Sequence, residues 1–187
     1  MTDPALEAHE HAEHAEHAAH ENNPFISRVS MTIAVLAVVA AVTGSLEAVE
    51  AGSAIIDANK AVLVQDQATD KWAFYQAKSL KKHIYGIAAD AGGPKAAAYL
   101  KTSKKEGDES LQIQDEAKKL EGERETLLAE SQVHETRHHH LTIGATLLEI
   151  GIAISTIAII TRQRWTWIAS GLLGVAGAAV AVASYLM

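Results

Sequence analysis

Residues Val29 to Leu46 read VSMTIAVLAVVAAVTGSL, an apolar run with no charged side chain. A helix needs about 20 such residues to cross ~30 Å of hydrocarbon. Two later stretches have the same character: Leu141 to Thr161, whose single charge is Glu149, and Thr166 to Met187, which has none. The fold class they imply is all-α, a multi-pass membrane protein with three transmembrane helices. Arg162-Gln163-Arg164 leaves room only for a tight turn at 162–165, so the last two runs are expected to form a helical pair. Trp165, Trp167 and Tyr185 mark the ends of the third run, where aromatic belts lie. The first run follows an acidic tail whose one cation is Arg28, and it is long for a cleaved signal. It is expected to remain as an anchor.

Composition agrees with a membrane class. Apolar residues make up 48% of the chain but aromatics only 5%, too few for an ordinary soluble core. There is no cysteine, which excludes disulfides, thiolate metal sites and thiol catalysis. A net charge of −7 without a basic patch gives nucleic acid nothing to bind.

Between the membrane runs lies a charged segment, residues 47–140, broken only at Gly92-Gly93-Pro94. Ala73, Ala77, Leu80, Ile84, Ile87 and Ala91 follow alternating steps of four and three. Ile113, Ala117, Leu120 and Leu127 do the same beyond the break, with Arg124 interrupting. The pattern predicts a long extramembrane antiparallel helical hairpin, coiled-coil-like, with its turn at 92–94 and each arm continuous with a span. Arms of about 45 residues at 1.5 Å each would extend roughly 65 Å. The seam is rich in alanine, so other copies of the chain are expected to help bury it.

Arg28, Arg162 and Arg164 stand close to membrane ends on one side, against Arg137 on the other. The positive-inside rule then places the amino terminus in the cytoplasm. Counting Lys60 and Arg124 as well removes the difference.

Five features stand out along the chain. The tail from Glu7 to Glu21 holds five histidines, with Glu10–His14, Glu13–His17 and Glu16–His20 at the helical spacing of four. Such a tail can capture metal or respond to pH, or simply be solvated. His134-Glu135-Thr136-Arg137-His138 matches the H-E-x-x-H zinc motif. Leu141 stands where the metzincin continuation requires glycine, and Glu149 is about 16 Å further along a straight helix, too far to be a third ligand. The motif is therefore expected to be fortuitous. Glu149 itself should face the bundle, water or a partner, because a carboxylate in mid-span is costly. Gly171, Gly174, Gly177, Gly151 and Ser155 read as sites of close helix packing, and Trp72, Phe74 and Tyr75 as an anchor to a facing helix or a partner-binding spot.

The stretch Asp70-Lys71-Trp72-Ala73-Phe74-Tyr75-Gln76-Ala77-Lys78-Ser79-Leu80-Lys81 resembles the signature of domain-of-unknown-function family 4337. Leu148-Glu149-Ile150, Thr161-Arg162-Gln163-Arg164-Trp165-Thr166-Trp167 and the His/Glu-rich tail are similar to that family's pattern as well. The resemblance implies a bacterial membrane protein and supplies no activity.

No residue is assigned a catalytic, cofactor-binding or metal-binding role, and no cofactor is implied. The functional expectation is a non-enzymatic, homo-oligomeric scaffold or adaptor in the bacterial inner membrane. Its expected partners are membrane lipid, its own copies and a protein docked on the hairpin. The alternative is a metal- or pH-responsive sensor acting through the tail. A channel with Glu149 on its pore and a zinc hydrolase are more distant.

Overall fold

The structure, a computed structural model, describes residues 24–186. They form three α-helices and no strand: α1, Pro24–Asp90; α2, Ala96–Thr161; and α3, Arg164–Ala183. Each contains a stretch long and apolar enough to cross a membrane. The readings made on the histidine-rich tail lie outside the described residues.

Local sequence accounts for the helix ends. Pro24 opens α1 ahead of the charge-free run, at the first helical position, where a missing N–H and a fixed φ are harmless. The chain leaves α1 through Gly92 and Gly93, with φ of 76° and 96°. Two successive positive φ values are cheap only for glycine. α2 ends at Thr161, and Arg162 takes a left-handed φ of 54°, a conformation glycine usually fills just past a helix end. Because α3 starts at Arg164, the turn expected over 162–165 reduces to Arg162 and Gln163.

The chain divides into two compact units, residues 1–54 with 132–187, and residues 55–131. The first unit, over its described residues, packs parts of all three helices. Its core joins Val29, Ile33, Leu36 and Ala37 of α1 to Leu148, Ile152 and Ala158 of α2. Trp167 of α3 packs against this core, donates its Nε1–H to Thr32 Oγ1 at 3.0 Å and meets the Phe25 ring edge-on. Residues α2 and α3 share are small. A Cβ on Gly177 would lie 2.7 Å from the Gly144 carbonyl oxygen, so the two backbones touch where side chains are absent. Ser155 Oγ donates to Ser170 Oγ at 2.7 Å, both side chains fully buried. Gly151 and Gly174 also sit in close contacts, but Gly171 has nothing within 4 Å of where a Cβ would be. Gly171 is therefore not one of the packing glycines, and Gly144 takes that role.

The second unit is held mainly by small side chains and polar pairs. Ala61, Val64 and Ala68 of α1 and Ile113 and Ala117 of α2 are its buried apolar residues. Polar contacts connect positions that descend in α1 as they ascend in α2. Ser103 Oγ donates to the Lys82 carbonyl at 2.9 Å, and Lys78 Nζ reaches Glu106 at 2.9 Å and Glu109 at 2.5 Å. Lys71 pairs with Glu116 at 2.6 Å, Trp72 Nε1 donates to Glu121 at 2.8 Å, and Arg124 donates to Gln65 Oε1 at 2.7 Å. Arg124, which interrupts the apolar pattern of α2, is thus accommodated by a polar partner.

The first-arm seam read from the sequence needs correction. Ala73, Ala77, Leu80, Ile84, Ile87 and Ala91 are all exposed, with Leu80 at 62%, Ile84 at 54% and Ile87 at 72%. α1 carries two apolar faces, and the Ala61, Val64 and Ala68 face is the one buried within the chain. The second-arm reading holds better: Ile113 and Ala117 are buried, Leu120 and Leu127 half-buried. Of the aromatic trio, Trp72 anchors to Glu121 and Tyr75 meets it edge-on. Phe74 is instead 52% exposed, with the Lys78 ammonium 5.6 Å from its centroid.

Candidate carboxylate–histidine site

Within the first unit, Glu47 and Glu50 lie one helical turn apart on α1, and His134 and His138 one turn apart on α2. The two pairs face each other. His134 Nδ1 is 2.5 Å from Glu50 Oε2, and His138 Nδ1 is 3.9 Å from Glu47 Oε1. The upper rung is tight and buried: Glu50 is only 6% exposed. The hydroxyl of Tyr185 hydrogen-bonds to the same carboxylate. Arg137 lies over the Tyr185 ring, 5.5 Å from its centroid. The second rung is looser, because Thr142 Oγ1 sits 2.7 Å from Glu47 Oε1 and 3.0 Å from the His138 carbonyl. His138 Nδ1 is buried with no hydrogen-bond partner.

The geometry explains how a carboxylate is tolerated there. A buried carboxylate is costly unless it is paired and hydrogen-bonded, and Glu50 has both a ring nitrogen and a phenol. Imidazole is also the side chain that ordinarily gains and loses its proton in the physiological range. What this arrangement offers chemically is a place to hold a proton between ring and carboxylate.

The H-E-x-x-H residues are therefore divided among different partners. His134 turns to Glu50 and His138 towards Glu47, while Glu135 is exposed. Among the described residues no group of three or more His, Asp or Glu side chains is placed to hold a metal ion. Sequence reasoning singled out His134 and His138 but missed Glu47 and Glu50. A signal was available: counted from Gly93, Glu50 lies 43 residues back and His134 lies 41 residues ahead. Glu149 is exposed. It forms no hydrogen bond or ion pair with any described residue, so it does not face the bundle. In the second unit Lys60, Lys71, Lys78 and Lys105 pair with carboxylates, and hydrogen bonds to Glu109 and Glu106 raise Lys78 above the ordinary lysine value.

Residues 25–187 match the model of a family described as Domain of unknown function (DUF4337). The chain belongs to this family. The DUF4337 match takes in the Trp72 block, the Glu149 helix and the Arg162-Gln163-Arg164 turn, and leaves the His/Glu-rich tail outside it. No curated protein and no solved structure matches the chain.

Proposed function

We propose that this DUF4337 protein is a non-enzymatic scaffold of the bacterial inner membrane that self-associates and displays a helical hairpin outside the bilayer. Residues 29–46, 141–161 and 166–187 are its spans, with the amino terminus in the cytoplasm. The observation that carries the reading is the exposed stripe Ala73, Ala77, Leu80, Ile84, Ile87 and Ala91. Steps of four and three place all six on one helix face, the spacing of a coiled-coil seam. Large apolar side chains in a row on a water-facing helix mark an association surface. Copies held in one bilayer run parallel and present the same stripe to each other, which favours a second copy as the occupant. The site chemistry supports a non-enzymatic role, since His134 and His138 face separate carboxylates rather than a common centre.

The test is energy transfer between differently labelled full-length chains in liposomes of bacterial lipid, diluted with increasing lipid. Self-association predicts transfer that persists on dilution and falls when Leu80, Ile84 and Ile87 are all changed to serine. Transfer no greater than random mixing would refute the reading.

One observation favours a second reading, a pH-responsive membrane protein. It is the Glu50–His134 pair, a carboxylate–imidazole contact between two helices of the first unit. Association that changes steeply between about pH 5 and about pH 8, and only while His134 is present, would select it.

A further inference from the structure

Glu149 presents a specific physical problem. If residues 141–161 span the bilayer, Glu149 stands about 12 Å from one end and about 18 Å from the other at 1.5 Å per residue. That is the hydrocarbon interior, where a carboxyl group without hydrogen bonds costs several kcal/mol on the order of magnitude seen for unpaired polar groups. Among the described residues the group gets no relief. It is exposed, and the residues that turn inward from the same helix are Ala145, Leu148, Gly151, Ile152 and Ser155. None of the three proposed spans carries a lysine or arginine, so neither this chain nor a copy of it can supply an intramembrane cation.

We infer that Glu149 meets Glu149 of a second copy, as a hydrogen-bonded carboxyl pair at the centre of a two-fold contact between α2 helices. The inference rests on the self-association proposed above and gives it a site within the membrane. Copies inserted the same way hold Glu149 at the same depth, and a residue on a two-fold axis faces itself. Two carboxyl groups brought that close share a proton, and each then has a partner. The surroundings allow the approach. Thr146 and Ala153, one turn to either side of Glu149, are both exposed and small. Thr146 Oγ1 already donates to the Thr142 carbonyl at 2.8 Å, so its hydroxyl proton adds no unmet demand to the interface.

The experiment is dilution-dependent energy transfer for the full-length chain in liposomes of bacterial lipid, comparing wild type, Glu149→Gln and Glu149→Leu. Because position 149 faces outward, circular dichroism should show equal helix content in all three. Gln keeps the capacity to pair across the two-fold, so its association should stay within about threefold of wild type. Leu removes the hydrogen bonds and should weaken association by roughly threefold to thirtyfold, the range one or two interhelical hydrogen bonds supply. If Glu149→Leu associates as tightly as wild type, this inference falls while self-association stands. A wild type that does not associate overturns both.

Discussion

His134 Nδ1 lies 2.5 Å from Glu50 Oε2, joining α2 to α1 at a carboxylate that is only 6% exposed. Tyr185 adds a third element to the same group. Glu50 is tolerated in the interior because His134 and Tyr185 both hydrogen-bond to it.

Removing the ring should therefore cost more than the lost contact. His134→Ala leaves Glu50 buried with Tyr185 as its polar neighbour, and should destabilise the first unit by about 1–3 kcal/mol. Glu50→Ala added to His134→Ala should recover part of that loss, because no buried carboxylate remains. His138→Ala should cost less, since its Glu47 contact is 3.9 Å long. Thermal unfolding in mild detergent measures all four chains; equal losses for His134→Ala and His138→Ala would contradict the ranking.

The α2–α3 contact gives a paired prediction. Gly177→Ala would set a Cβ 2.7 Å from the Gly144 carbonyl oxygen, and Gly171→Ala would meet nothing within 4 Å. The first should destabilise by about 1–3 kcal/mol through overpacking against backbone. The second should be neutral, or stabilising by up to about 1 kcal/mol from helix propensity. The same unfolding assay distinguishes them, and reversed signs would mean that α2 and α3 do not pack through Gly144 and Gly177.

The charged unit should respond to pH at both extremes. Hydrogen bonds from Lys78 and Lys71 hold Glu109 and Glu116 below the usual carboxylate range. A depressed carboxylate stabilises the folded chain above its unfolded pKa and ceases to do so as pH falls through the folded value. Lys78 is shifted upward, so its contribution is present below the ordinary lysine value and is lost as pH rises through the folded one. Unfolding temperature should thus be level between about pH 6 and about pH 9 for these pairs and fall on either side. The pairs lie partly in solvent, so the effect should be small and weaken with added salt. Lys71→Met should reduce the acid-side loss; an unchanged acid limb would rule out the Lys71–Glu116 contribution.

Much of the helical layout was legible because it depends on local chemistry. A charge-free run such as Val29–Leu46 and a Gly92-Gly93-Pro94 break act through nearest neighbours, and α1 ends at Asp90, just short of that break. The face of α1 that packs within the chain was not legible. Ala61, Val64, Ala68 and Leu80, Ile84, Ile87 share the same steps of three and four, and spacing does not say which partner fills each stripe. The Glu50–His134 pair was missed for a related reason: its members are 84 residues apart, and neither looks unusual until the chain is folded. Reading His134 and His138 as a motif drew attention to their neighbours in sequence, whereas their partners lie on another helix.

Cross-linking shows whether the outward stripe of α1 meets the same stripe of a second copy. The chain has no cysteine, so a single one can be introduced without background. Ile84→Cys and Ile87→Cys lie on the stripe, and Glu123→Cys is an exposed position on α2 away from it. Oxidation in native membranes should give a dimer band for the two stripe positions and little for Glu123→Cys. Equal cross-linking at all three, or none at the stripe, would refute a stripe-to-stripe contact.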